Sequence, residues 1–303
     1  MMASDDTDPL ILEIGLILGE TIAFAAKFGE QYGSEPSEGS LAYREMAGES
    51  VYAGNLTLNS DDVYKAFSQG AGICIPAAEQ FMIAIGQLYV IPMSIFGYQT
   101  VARSLVETSA KAWWLIDPQI DLPTRVARHH VDQLENIYDL RKLEASPGTK
   151  SMYDLRIRGL FDSATSLGLQ GTRQKLKDGS DGDLIGFDGV VPPKATDLVN
   201  DFFAAIDFSD GDRWYRIVSG VAHGGAHGLL RHFDLHLTER AYRGYLTPRL
   251  DRHEISNFAA LAIHSYLGAI QAFAEAFGQD HQLVESTRIA YHERIRKLEI
   301  ETR

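Results

Sequence analysis

The sequence contains a single cysteine among its 303 residues, and this scarcity excludes two kinds of structure. Cys74 has no second cysteine with which to form an internal disulfide, and zinc clusters built on several cysteines are excluded as well. Because Cys74 lies in an apolar context, the sequence favours a buried thiol in a reducing compartment. We therefore expect a cytoplasmic protein whose stability depends on its hydrophobic core.

Basic residues and two catalytic motifs are also scarce or missing. The chain has 28 Lys and Arg against 41 Asp and Glu, which gives a net charge of −13. This charge repels polyanions at long range and leaves room only for local contacts with nucleic acid through a few arginines. No phosphate-binding glycine loop followed by Lys-Ser or Lys-Thr is present, and no Gly-x-Ser-x-Gly elbow is present either.

Long uncharged hydrophobic runs are missing too. The most apolar segments, 10–28 and 73–96, contain charged residues such as Glu13, Glu20 and Glu79. Such residues are costly in hydrocarbon, so we expect buried helices and no membrane partner. The acidic N-terminus lacks the basic region of a secretory signal.

Hydrophobic periodicity and capping signals predict helices along most of the chain. The predicted helices cover 9–32, 60–67, 76–91, 94–116, 122–143, 153–177, 195–206, 211–222, 254–277 and 281–300. We predict one all-α domain over 1–303, a multi-helix bundle around the apolar central helix 94–116. The segments 33–59 and 178–194, rich in Gly, Ser and Pro, are predicted to be loop-rich insertions, and no alternating pattern indicates a sheet.

The predicted helix 211–222 and the residue that follows it carry a candidate polar site. Arg216, Ser219 and His223 lie at offsets of three and seven residues, so they share one side of the helix. A cation, a hydroxyl and a titratable imidazole on an apolar helix are typical of a small polar site. On the central helix, Arg103 and Glu107 are four residues apart and face the same way. Glu107 is expected to orient His223 or Arg216, or to form an internal ion pair that holds the helices together.

Two segments, 101–118 and 215–223, resemble a group of bacterial all-helical proteins. The first has the form of an Arg-x-x-x-Glu helix that ends at Asp-Pro, and the second that of a Tyr-x-x-x-Ser-x-x-x-His helix. The second also resembles the HEPN superfamily (higher eukaryotes and prokaryotes nucleotide-binding). The signature of that superfamily is an arginine followed after four to six residues by a histidine, and Arg216 and His223 match this spacing.

The resemblance implies a helical bundle that forms a homodimer, takes RNA or a nucleotide as its ligand and needs no cofactor. Many such proteins are metal-independent ribonucleases of toxin–antitoxin or phage-defence systems. Arg216 is then expected to hold a phosphate and His223 to act as acid or base, with Ser219 positioning either group.

Other members of the superfamily do not catalyse. The alternative is therefore a non-enzymatic helical binding or regulatory protein. In this alternative, Tyr215, Ser219 and His223 pack with Arg103 and Glu107 as a structural polar network.

Several other polar residues are candidates for a site. The histidines 223, 227, 232 and 236 lie at intervals suited to helical metal ligands, but glycines interrupt the helix and no further ligand completes a set, so no metal site is predicted. His129 and His130 form either the basic rim of a pocket or a solvated face. The basic residues between 288 and 297 alternate with acidic ones, which predicts a solvated helix or one that meets a second copy of the chain.

Overall fold

The computed structural model describes residues 9–33, 35–47, 58, 60–90, 95–177, 180–223, 233–237, 244–248 and 251–301. Within these residues the fold is predominantly helical, which confirms the all-α prediction. The helices are α1 (Pro9–Tyr32), α2 (Leu41–Met46), α3 (Ser60–Ser68), a π-helical turn (Gln69–Cys74), α4 (Ile75–Val90), α5 (Ile95–Ile116), α6 (Leu122–Leu143), α7 (Pro147–Ser166), α8 (Ala195–Ala205), α9 (Gly211–Ala222), α10 (Arg252–Ala276) and α11 (His281–Glu301). The strands are β1 (Gly171–Lys175), β2 (Asp181–Phe187), β3 (Phe233–Leu237) and β4 (Gly244–Pro248).

Two apolar helices, α5 and α10, form the centre of the molecule. Every residue from Phe258 to Ile270 in α10 is buried, since neighbouring helices cover all sides of this segment. Helix α5 packs against α4, α8, α9 and α10, which confirms the prediction that it is central. The polar residues that α5 carries are therefore held on a well-packed element.

The junction between α5 and α6 is fixed by one buried guanidinium. Arg125 is fully buried, and it donates hydrogen bonds to the carbonyl oxygens of Ile116 (2.6 Å) and Asp117 (3.1 Å) at the end of α5. Its Nε donates to Glu45 on α2 at 3.1 Å. The last carbonyls of a helix lack partners within the helix, so this side chain supplies them with donors.

Two antiparallel hairpins correct the secondary-structure prediction. The helix expected over 153–177 ends at Ser166, because Gly168 takes a left-handed conformation (φ 96°) and Leu169 donates its N–H back to the carbonyl of Ala164. Strand β1 then pairs with β2, from Gly171 opposite Phe187 to residue 175 opposite residue 181. The segment expected to be a loop therefore contains a strand. The second hairpin pairs β3 with β4.

Two helical stretches, 9–32 and 60–89, are long and apolar enough by length and composition to cross a membrane. A buried core helix passes the same test. Helix α1 buries one face, which includes Leu10, Ile14 and Leu18, against α4, α10 and α11, and it leaves Leu12 and Leu16 exposed. Helix α1 thus packs on three other helices through one face only.

Candidate functional site

Helix α9 turns one face into the core and the other to solvent. Trp214, Tyr215, Val218 and Val221 are buried, and the helix packs against α5, α8 and α10. Its first residue, Gly211, lies against α8: a Cβ there would lie 2.4 Å from the Phe203 ring. Because α9 approaches α8 this closely and lies on α5, Tyr215 is aimed at the polar residues of the central helix.

A carboxylate on α5 joins the two helices. Glu107 accepts a hydrogen bond from the Tyr215 hydroxyl at 2.8 Å and one from Arg103 Nε at 2.7 Å. The side chains of Arg103 and Glu107 are 23% and 32% exposed, so the ion pair lies at the edge of the core, within reach of solvent. Charge-assisted hydrogen bonds to one carboxylate restrict the rotamers of both donors.

The fourth member of the network is His223, the residue that follows α9. Its ring Nδ1 lies 3.5 Å from Arg103 Nη1, and its side chain is exposed. A guanidinium can only donate, so a hydrogen bond here requires Nδ1 to be the acceptor and Nε2 to carry the proton. The arrangement places an imidazole lone pair and a cationic N–H group side by side at the surface.

Arg216 and Ser219 do not join this network. Arg216 is exposed, and its Nε donates to Asp212 one turn earlier in α9 at 2.9 Å. Ser219 is partly buried, and its backbone carbonyl accepts the N–H of His223 at 3.1 Å. The structure thus brings together four of the six residues in the predicted site, with Arg216 in a surface ion pair nearby on the same helix. The catalytic roles of Arg216, Ser219 and His223 stay predictions.

The network also sets the protonation of its tyrosine and its arginine. Burial, together with the hydrogen bond to Glu107 and the charge of that carboxylate, raises the pKa of Tyr215 to about 12. Tyr215 is therefore a donor at neutral pH and not a base. Burial opposes the charge of Arg103, but the hydrogen bond and charge of Glu107 outweigh it and raise the pKa of Arg103. The guanidinium remains a permanent cation.

No cluster of three or more potential metal ligands is found within the described part of the chain. Of the four histidines spaced like metal ligands, His227 and His232 lie outside the described residues. His236 lies on β3, beyond the end of α9. The two described histidines of this set, His223 and His236, therefore do not lie on one helix, since α9 ends at Ala222.

Two groups of residues expected in solvent are buried. His129 and His130 are each 6% exposed, so the prediction of a solvated face is wrong. Burial lowers the pKa of both imidazoles, that of His129 to about 4. Arg288, on the helix expected to be solvated or to meet a second copy of the chain, is 2% exposed and donates to the ring of buried His264 at 2.7 Å. Arginine is mostly a surface residue and histidine is intermediate, so residue type gave no signal for this burial.

The chain matches no protein-family model, no curated protein and no solved structure.

Proposed function

We propose that Arg103 and His223 form the centre of an RNA-binding and RNA-cleaving site, and that the chain is a metal-independent ribonuclease of HEPN-like type. One observation carries the proposal: an exposed imidazole lies beside a guanidinium that Glu107 holds in place. A base and a fixed cation at the surface are the groups that cleavage of a phosphodiester requires when no metal takes part.

The proposed reaction uses the neighbouring 2′-hydroxyl of RNA as its nucleophile. His223 Nδ1, which faces Arg103 in the free protein, accepts the hydroxyl proton. The 2′-hydroxyl of the RNA thereby replaces Arg103 as the donor to this nitrogen. The 2′ oxygen then bonds to phosphorus while the bond from phosphorus to the 5′ oxygen breaks. The 5′ oxygen takes up a proton from a second histidine, which a second copy of the chain supplies in the proposed homodimer. The products are a 2′,3′-cyclic phosphate and a 5′-hydroxyl.

The arginines hold the phosphate charge in this proposal. Arg103 uses Nε for Glu107 and directs Nη1 at His223 Nδ1. Once Nδ1 engages the 2′-hydroxyl, the Nη groups can donate to the phosphate oxygens of the scissile bond. Arg216 likewise uses Nε for Asp212, so its Nη groups can bind a neighbouring phosphate along the surface of α9. Two such local contacts are compatible with the net charge of −13, because they do not require an extended basic surface.

The test is cleavage of labelled single-stranded and hairpin RNAs by the purified protein in the presence of EDTA. We expect cleavage with 2′,3′-cyclic phosphate ends and a loss of about 100-fold or more in His223→Ala, since general acid–base catalysis contributes about 10²–10⁴ in rate. His281→Ala removes a histidine at the start of α11 and is expected to cleave like the wild type. Intact RNA with the wild-type protein, or equal rates in the wild type and His223→Ala, contradicts the proposal.

The second candidate is a non-enzymatic binding or regulatory protein, and one observation favours it. Tyr215, Glu107 and Arg103 link α9 to α5 by hydrogen bonds, whereas Arg216 is engaged in a surface ion pair. In this case His223→Ala lowers the melting temperature and changes no activity, because the polar network serves only to hold the helices together.

A further inference from the structure

One surface pocket is lined by three arginines, although the protein is acidic overall. It lies between α6, α7 and the hairpin β1–β2, and its volume is about 390 Å³. Pockets that hold small molecules span roughly 300–1,000 Å³, so this one suits a small ligand. The arginines come from three elements: Arg141 from α6, Arg158 from α7 and Arg173 from β1.

Each of the three guanidinium groups uses one N–H group in a hydrogen bond within the protein. Arg141 donates Nε to the Asp154 carboxylate at 2.8 Å, and Arg158 donates Nε to the backbone carbonyl of Asp154 at 3.3 Å. Arg173 donates one Nη1 hydrogen to the carbonyl of Gly182 at 3.3 Å. Each guanidinium has about five N–H donors, and neither Arg158 nor Arg173 forms an ion pair with a described carboxylate. The donors that remain can bind an anion.

The rest of the pocket wall contains both acidic and apolar side chains. Asp183 supplies carboxylate oxygens, and Phe161 and Leu184 supply apolar surface. Tyr138 donates its hydroxyl to the Leu184 carbonyl at 2.9 Å, which ties β2 to α6 and fixes this side of the pocket. The Arg173 guanidinium lies 5.8 Å from the centre of the Phe161 ring, so cation and apolar wall are adjacent.

We propose that this pocket binds a small phosphomonoester that also carries hydroxyl groups, a description that covers nucleotides and sugar phosphates. Guanidinium forks match phosphate oxygens with pairs of charge-assisted hydrogen bonds. A phosphomonoester carries between one and two negative charges at neutral pH, and three arginines outweigh the two aspartates that line the pocket. Asp183 is suited to accept hydrogen bonds from hydroxyl groups of the ligand. This pocket shares no residue with the proposed ribonuclease site.

The proposal is tested by calorimetric titration of the whole protein with uridine 5′-monophosphate, glucose 6-phosphate, inorganic phosphate and uridine. We expect one of the two esters to bind at least tenfold more tightly than inorganic phosphate and uridine, and the stronger ester tells a nucleotide from a sugar phosphate. Arg158→Gln and Arg173→Gln should each weaken that ester by about tenfold or more, because each loses charge-assisted hydrogen bonds.

The matched control is Arg156→Gln. Arg156 lies on α7 two residues before Arg158, is exposed and packs on Tyr153 outside the pocket. The Arg156→Gln variant should bind the ester as the wild type does. Thermal melting shows whether all three variants are folded. Three results overturn the proposal: esters that bind no better than inorganic phosphate, unchanged affinity in both Arg158→Gln and Arg173→Gln, or an equal loss in Arg156→Gln.

Discussion

Replacement of His264 by glutamine is expected to change how the stability of the protein depends on pH. His264 lies in α10 and is 3% exposed, with its ring stacked on Phe208 at a centroid distance of 4.0 Å. Arg288 Nη1 lies 2.7 Å from one ring nitrogen, and His292 Nδ1 lies 2.9 Å from the other. Because a guanidinium can only donate, Nδ1 of His264 is an acceptor and its Nε2–H donates to His292.

The environment of His264 opposes protonation. Burial first, and then the charges of Arg288 and His292, lower the pKa of His264 from 6.5 to about 2. The unfolded chain binds a proton here below pH 6.5 while the folded chain does not, so stability is lost as the pH falls. The loss approaches about 1.4 kcal/mol per pH unit well below pH 6.5, and it amounts to about 2 kcal/mol between pH 6.5 and pH 5.

Glutamine keeps both hydrogen bonds but does not titrate. Its side-chain oxygen can accept from Arg288 and its amide can donate to His292. We therefore expect the free energy of unfolding of His264→Gln to fall less steeply than that of the wild type, by about 1 kcal/mol over the unit between pH 6 and pH 5. Urea denaturation followed by circular dichroism at pH 8, 6, 5.5 and 5 measures both slopes. Equal slopes would refute the reasoning, whatever the difference in stability at pH 8.

Three further substitutions test the packing by urea denaturation. Gly211→Ala places a Cβ 2.4 Å from the Phe203 ring and is expected to lower the free energy of unfolding by about 1–3 kcal/mol. Gly220→Ala, later in the same helix, meets nothing within 4 Å and is expected to raise it by about 0.5–1 kcal/mol, so the reverse order of these two variants contradicts the packing of α9. Arg125→Met leaves Glu45 buried without its cation, and we expect a loss of about 3–5 kcal/mol; unchanged stability would show that the pair is not buried.

Much of the helical fold was predictable because capping residues and prolines close to each helix end determine where the helix begins and ends. The sequence predictions for α1, α6 and α9 have the same bounds as the observed helices. In α6 the side chain of Asp121 accepts the N–H of Thr124 at 3.0 Å, and Pro123 occupies the first turn. Signals of this kind depend on neighbours in sequence, so they can be recognised without a structure.

The hairpin β1–β2 was not predictable in the same way. Strand β1 reads Gly-Thr-Arg-Gln-Lys and is mostly exposed, so it lacks the alternation of apolar and polar residues that marks a strand. Its pairing depends on β2, and in β2 burial rises only toward Phe187. Gly168 was the one local signal, since a left-handed glycine commonly ends a helix.

The candidate site was predictable only in part. The spacing of Arg103 and Glu107 indicates an ion pair within one helix, and the structure has that pair at 2.7 Å. The same rule applies to Asp212 and Arg216, a pair that the sequence analysis did not weigh. The alternative in which His223 packs with Arg103 was among the sequence predictions, but no local pattern could decide for it. The contact joins residues 120 positions apart and depends on the packing of α9 on α5.

The central claim is that RNA binds where His223 and Arg103 meet, and imidazole NMR tests it most directly. The ¹⁵N resonances of the His223 ring are followed while an RNA with a single 2′-deoxy nucleotide at the cleavage position is added, so that binding occurs without reaction. We predict that the Nδ1 resonance of His223 moves as the complex forms, and that Arg103→Gln abolishes the change, because phosphate and guanidinium meet beside that nitrogen. An Nδ1 resonance that stays in place while the RNA is bound would contradict the account.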